Sequence, residues 1–279
     1  MTIRVTAYDD PSEVLRAAHD FLVSQPIHHN LILSLLHDRV ARPQAGHYWV
    51  AFDGQEAVGV VFQSPLTFAA VLTPMQLPVV EAMVDTIVDS GVSLPGVNGD
   101  AATAASFAGQ WTERTKSAAV PVHGLRLYEL VELHPIRSVE GALRKAAPAD
   151  RELLVEWATA FSEEIHEPTH GVAGMVDQWL AAELLWLWEC DGHIVSMALG
   201  RGAVAGVVRV SHVYTPPQLR KRGYAAACVH SLSKVLAVRG FRCMLYTDLG
   251  NPTSNSIYRQ IGYRAVAEGL RYNIIKSSA

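Results

Sequence analysis

One pattern occurs twice along the chain, and it limits the folds open to it. "HYWVAFDGQEAVGVVFQSP" starts at His47 and "LWLWECDGHIVSMALGRG" starts at Leu185. Each reads as an aromatic-rich strand, an Asp-Gly turn and a second strand, with Asp53-Gly54 and Asp191-Gly192 as hairpin turns. "TPMQL" at Thr73 is echoed by "TPPQL" at Thr215, and "GLRLYEL" at Gly124 by "GLRYNII" at Gly269. The three matches keep their order at an offset of about 140 residues. The expectation is two copies of one unit, residues 1–135 and 136–279, joined near "ELHPIRSVEG".

Composition agrees with a packed, two-unit chain. The 279 residues are 49% hydrophobic and 18% charged, which favours a sizeable core over disorder. A net charge of −4 argues against bulk nucleic-acid binding, while a local basic patch can still hold a small anion. The three cysteines, Cys190, Cys228 and Cys243, fit no zinc or redox spacing, lie in apolar runs and read as buried thiols. No metal site is expected. No apolar run is long enough for a membrane span and the N-terminus has no signal pattern, so a cytoplasmic protein is expected.

In the second copy, residues 142–147 read as a strand. Asp150 is expected to cap a helix carrying Leu153, Leu154, Trp157 and Phe161. "MVDQWLAA" reads as a short helix. Strands are expected at about 184–190, 194–201 and 205–214. A helix then shows an apolar face of Ala225, Cys228, Val229, Leu232, Val235 and Leu236, stopped by Gly240. "FRCMLYTD" is the next strand, Asn251-Pro252 open a helix that Gly262 closes, and two strands, Tyr263–Ala267 and Leu270–Ile275, finish the chain. This order predicts a mixed α/β (α+β) fold, each copy a mostly antiparallel sheet flanked by helices.

Arg220, Lys221 and Arg222 stand where the helix after "TPPQL" begins. Like charges repel there, and cations oppose the positive end of a helix dipole. An anion relieves both penalties. Free amides at the helix start point at phosphate oxygens, Gly223 lets the backbone approach closely, and Ala225 and Ala226 leave the first turn uncrowded. After "TPMQL" the first copy reads "PVVEAMVDTIVDSG", without the basic residues or the glycine. It is expected to be degenerate and structural.

The stretch Arg220-x-x-Gly223-x-Ala225 resembles the signature loop of the GCN5-related N-acetyltransferases. "NPTSNSIYRQIGY" resembles the same family's later motif, through Asn251, Tyr258 and Gly262-Tyr263. The resemblance covers roughly residues 140 to 276, and a degenerate copy before an active one is similar in layout to the mycothiol synthases. It implies acetyl-coenzyme A (acetyl-CoA) as the cofactor. Val213, Tyr214 and Thr215 match the strand positions along the pantetheine arm and the expected oxyanion donor. The amides of Arg220, Lys221, Arg222, Gly223, Tyr224, Ala225 and Ala226 match the pyrophosphate loop. Asn251 matches a pantetheine contact that is equally an N-cap, and Tyr258 matches the general acid. The family's usual base, a glutamate on one of two splayed strands, falls here on Arg209 and Tyr246. That leaves His212, Asp248 or a water chain to take the proton. Glu163, Glu164 and His166 are further options for the base and are candidates for holding the acceptor. The implied function is transfer of an acetyl group to a primary amine of a small molecule, with a protein amine as a further possibility. The alternative is a non-catalytic acyl-CoA sensor. No nucleic-acid or membrane partner is expected, and the chain reads as a monomer or homodimer.

Overall fold

A computed structural model describes residues 2–275. The chain divides into two units: residues 1–127, 247–250 and 265–279 form the first, and residues 128–246 and 251–264 the second.

The first unit opens with β1 (Ile3–Tyr8), three helices α1 (Pro11–Ala17), α2 (His19–Ser24) and α3 (Asn30–Ala41), and the hairpin β2 (His47–Asp53) and β3 (Glu56–Gln63). β4 (Ala70–Leu72), α4 (Leu77–Asp89), β5 (Gly96–Asp100), α5 (Ala101–Thr115) and β6 (Ala118–Leu130) follow. The second unit has β7 (Ala142–Lys145), α6 (Arg151–Glu164), α7 (Val172–Ala181), the hairpin β8 (Leu185–Cys190) and β9 (His193–Gly200), β10 (Val207–Tyr214), α8 (Tyr224–Val238), β11 (Arg242–Asp248), α9 (Pro252–Ile261) and β12 (Tyr263–Ile275). The two series run in the same sequence: strand, helices, hairpin, strand, helix, strand, helix, strand. Asp-Gly turns close both hairpins, with Gly54 and Gly192 at φ +61° and +73°.

Each sheet is mostly antiparallel. The first unit's strand order is β1-β2-β3-β4-β5-β12 and the second's is β11-β10-β9-β8-β7; β4–β5 and β10–β11 are the parallel pairs. In the first unit Val79, Met83, Val84 and Ile87 of α4 pack with Phe107 and Trp111 of α5 and with the strands. In the second unit, Cys228, Val229, Leu232 and Leu236 of α8 pack on Val208, Val210, Cys243 and Leu245. Leu154 and Trp157 of α6 and Val176 and Trp179 of α7 pack on the opposite face, against Leu185, Leu187, Met197 and Leu199. Alternation along the strands produces this division, since adjacent residues face opposite sides. The three cysteines are free and buried, and burial pushes the Cys228 and Cys243 thiols up to about 12.

Three expectations are corrected. The chain does not divide at residue 135, because residues 265–275 of β12 belong to the first unit. There 269–273 pair antiparallel with 96–100 of β5. Second, Tyr263–Ile275 is one strand and not two. Gly269 is no break: it sits opposite Asp100, with the Gly99 carbonyl 3.2 Å from the place a Cβ would occupy. Third, Asp150 stands before α6 but makes no side-chain cap to it. Its carboxylate accepts from the Ala147 N–H at 2.7 Å and pairs with Arg144, which lowers its pKa.

Candidate functional site

β10 is the strand that builds the site. Val210 lies opposite Gly200 and Ser211 opposite Leu199, but Tyr214 lies opposite Met197. Two residues of β10, His212 and Val213, thus face one of β9, which is a β-bulge. His212 takes the positive φ that such an insertion often needs, +48°. On its other side β10 pairs in parallel with β11 from Val207/Arg242 to Val210/Leu245. β10 runs on to Tyr214 without that partner, so beyond Val210 the backbone has lost its β11 ladder while its β9 ladder is interrupted at His212 and Val213.

Directly after β10 the chain makes a short 3₁₀ turn, Pro217–Leu219, and then the basic loop. Lys221 and Gly223 both have left-handed backbone, φ +65° and +89°. Alternating left-handed residues of this kind curl backbone amides into an anion-binding concavity. α8 starts at Tyr224, and its first backbone bond runs from the Ala227 N–H to the Gly223 carbonyl at 3.0 Å. The Tyr224, Ala225 and Ala226 amides precede it and have no intrahelical acceptor. No side chain caps them. A Cβ on Gly223 would also meet Val139 at 3.0 Å.

The basic residues separate into two roles. Arg220 is engaged within the protein: its Nη2 donates to Glu164 at 2.5 Å, its Nε donates to the Thr215 carbonyl at 2.8 Å, and its guanidinium lies over the Tyr214 ring. Lys221 and Arg222 are exposed, with no ion-pair partner among the described residues. Glu164 therefore braces the loop. Glu163 and His166 are exposed at the end of α6, and His166 has φ +58°.

The first unit lacks this arrangement. Pro78 has no amide, and the Val79 and Val80 N–H groups both donate to the Gln76 carbonyl, at 2.9 and 3.1 Å. The start of α4 is closed to an anion.

Asn251 caps α9, accepting from the Ser254 N–H at 3.0 Å. Tyr258 lies within α9, 8% exposed, in the same cluster as Val210 and Leu245, the last paired residues of β10 and β11. Its ring packs near Tyr128 and Tyr263, and burial pushes its hydroxyl up to about 12. Asn255, a turn before Tyr258, was not singled out from sequence. It accepts from the Tyr128 hydroxyl at 2.9 Å and donates to the Asn251 carbonyl at 2.7 Å, tying helix start to neighbouring strand.

On the opposite face, the His212 ring sits 4.6 Å from Trp179 and 5.0 Å from Phe161. Burial, with the charges of Arg201 and Arg209, lowers its pKa to about 3. His212 is thus neutral at physiological pH and a weak proton acceptor. Arg201 lies outside every sequence expectation. The tight turn of residues 204–207 folds it back beside Arg209, its N–H donating to the Arg209 carbonyl at 3.0 Å. The signal was present in "RGAVAGVVR", where a glycine-containing turn joins two arginines across a hairpin.

Comparison with known proteins follows this geometry. Residues 195–272 match the family described as FR47-like protein. No curated protein matches the chain. Among solved structures, an acetyltransferase of the GNAT (GCN5-related N-acetyltransferase) family from Colwellia psychrerythraea aligns with a TM-score of 0.65 at 11% identity. It covers 98% of this chain and 100% of that one. A GCN5-related N-acetyltransferase from Sphaerobacter thermophilus aligns with a TM-score of 0.65 at 16% identity, over 99% and 97%. One from Kribbella flavida gives 0.54 at 16%, over 89% and 95%. The bulged strand, the glycine-bearing basic loop and the helix that follows all lie inside the segment 195–272 that matches the FR47-like model, and over nearly its whole length the chain shares its fold with these GCN5-related N-acetyltransferase structures.

Proposed function

We propose that the second unit transfers an acetyl group from acetyl-CoA to the primary amine of a small molecule. One observation carries this reading: three helix-start amides without intrahelical acceptors stand beside exposed Lys221 and Arg222, immediately after a strand that bulges and loses its parallel partner.

The residues fit the coenzyme. The Tyr224, Ala225 and Ala226 amides, with the left-handed turn at Gly223, suit a pyrophosphate, while Lys221 and Arg222 add charge. Arg220, fixed by Glu164, holds the loop in shape. Val213, Tyr214 and Thr215, beyond the last β11 pair, offer backbone groups to an extended pantetheine arm. The bound coenzyme supplies an acetyl group activated as a thioester.

The protein's own contribution is positioning and proton supply. A backbone amide at the bulge stabilises the developing oxyanion. The Tyr258 hydroxyl, protonated because burial holds it up to about 12, is the proton source for the leaving sulfur. The same apolar surroundings raise the basicity of a thiolate formed there, which narrows the gap between donor and acceptor. His212, held near 3, is a poor base for the amine. The amine reaches the site as its free base, and the charges of Arg201 and Arg209 disfavour an ammonium beside them.

The acyl-CoA sensor reading draws on the same weakness of His212 as a base. Release of free thiol from acetyl-CoA across a panel of amines separates the two. Amine-dependent release supports the transferase; binding without release from any amine supports the sensor. For the transferase, the acid limb of kcat/KM follows the pKa of the chosen amine, moving when the amine is changed. A limb fixed across amines contradicts the free-base mechanism.

A further inference from the structure

Two arginines in the second unit have no carboxylate partner among the described residues. Arg201 and Arg209 face each other across the β9–β10 hairpin, so both side chains lie on one face of the sheet. Burial lowers the pKa of both, and the charge of Arg209 lowers that of Arg201 further. The buried Nε of Arg201 has no hydrogen-bond partner. Neither guanidinium forms an ion pair with a carboxylate among the described residues, although ion pairs occupy four other arginines of the unit, Arg144, Arg151, Arg220 and Arg242. Burying charge without a partner costs several kcal/mol per ion, and a like-charged neighbour adds to it.

Polar and aromatic side chains surround the pair. Tyr246 of β11 lies close enough to Arg209 for the two to interact electrostatically, and it occupies the first position after the last β10–β11 pair. His212 at the bulge feels both arginines. Its ring is boxed by Phe161 and Trp179, giving the polar cluster an apolar rim. The cluster adjoins the point where β10 leaves β11, where transfer takes place in the reading above. Guanidinium groups recognise carboxylates and phosphates through planar, paired donors, and a low-polarity rim strengthens the attraction.

We propose that Arg201 and Arg209 form the recognition site for an anionic oxygen group, a carboxylate or phosphate, carried by the amine acceptor. This rests on the acyltransferase reading for the identity of the acceptor, but the anion site itself stands on geometry. The Tyr246 hydroxyl adds a donor, and neutral His212 contributes a ring nitrogen without adding charge.

The test has a binding arm and a turnover arm. By calorimetry on the full chain, amino acids or aminoalkyl phosphates bind, and their neutral amide or alcohol counterparts bind at least about tenfold more weakly. Which of the two anion types binds more tightly identifies the group. Arg209→Gln and Arg201→Gln each abolish that preference, and Arg209→Lys restores part of it. Binding also shifts the His212 ring resonances in NMR spectra of the wild type. Since each arginine is an uncompensated charge, Arg209→Met raises Tm, which a purely structural arginine would not do. In turnover, the anionic amines are acetylated in preference, and the Gln variants raise KM for them by more than for neutral amines. Equal binding of charged and neutral amines, or indifference to both Gln variants, overturns the proposal. So does a preference for an anionic acyl donor with neutral amines. Anion binding that depends on Arg209 without any acyl transfer retains the site and removes the transferase reading. Transfer to which an anionic group on the amine adds nothing, and in which anionic amines are indifferent to both Gln variants, does the reverse.

Discussion

Tyr258 is where the chemistry reduces to a single atom. Its hydroxyl is buried and held up to about 12, so it stays protonated throughout the working pH range. Tyr258→Phe removes the proton source without changing the shape. Turnover is expected to fall about a hundredfold or more, with coenzyme affinity unchanged within a factor of about two. Equal kcat in the variant removes the acid role. Gly223 is the binding counterpart. At φ +89°, with Val139 3.0 Å from the place of a Cβ, a valine there strains the turn and crowds the amides, so coenzyme affinity drops about tenfold or more. Several of these residues were legible in the sequence because their chemistry is local: a glycine before a helix, a basic triplet, an asparagine before a proline. Arg220 was legible as a charge and as the first residue of the loop motif, but not as a bracing residue. That it is bound by Glu164 depends on the end of α6, which no local pattern brings to residue 220.

At the level of elements, the bulge in β10 and the end of α9 do most to fix the site. The bulge was hidden in the sequence, because "RVSHVYTP" alternates well enough to read as a plain strand, and only the pairing with β9 shows the extra residue. The closing glycine of α9 was legible, and the structure adds a reason. Gly262 has φ +111°, and a Cβ there would fall 1.7 Å from the Glu132 carbonyl oxygen, where the His134 N–H also donates to the Ile261 carbonyl. Gly262→Ala should cost about 2–4 kcal/mol in urea unfolding, by combining backbone strain with a clash against main chain. A cost under about 0.5 kcal/mol means that this segment yields easily and does not hold Tyr258 in place. Element order, helix faces and the hairpins were recovered from periodicity and turn residues. The membership of β12 was not, since strand pairing across a long sequence separation leaves no local trace.

For the whole molecule, two features bear on stability and stoichiometry. Buried Tyr258, Cys228 and Cys243 are all raised to about 12, from ordinary values of 10.0, 9.0 and 9.0. Above pH 9 the unfolded chain releases these protons before the folded one, so stability falls as pH rises from 9 to 12. His212 acts at the other end. It is lowered from 6.5 to about 3, so the unfolded chain takes up its proton first and stability falls as pH drops from 6.5 towards 3. Melting curves across pH should show both slopes, and His212→Asn should flatten the acid one; an unchanged acid slope assigns it to other groups. No helix among the described residues is long and apolar enough to cross a membrane. Of the two corresponding helices in the repeated order, α8 starts open, while Pro78 and the Gln76 carbonyl close α4. Calorimetric titration of coenzyme A into the full chain tests this most directly. The expected result is one coenzyme per chain, with binding weakened about tenfold or more by Gly223→Val. No binding at millimolar coenzyme, or binding that Gly223→Val leaves untouched, contradicts the placement of the pyrophosphate at the start of α8.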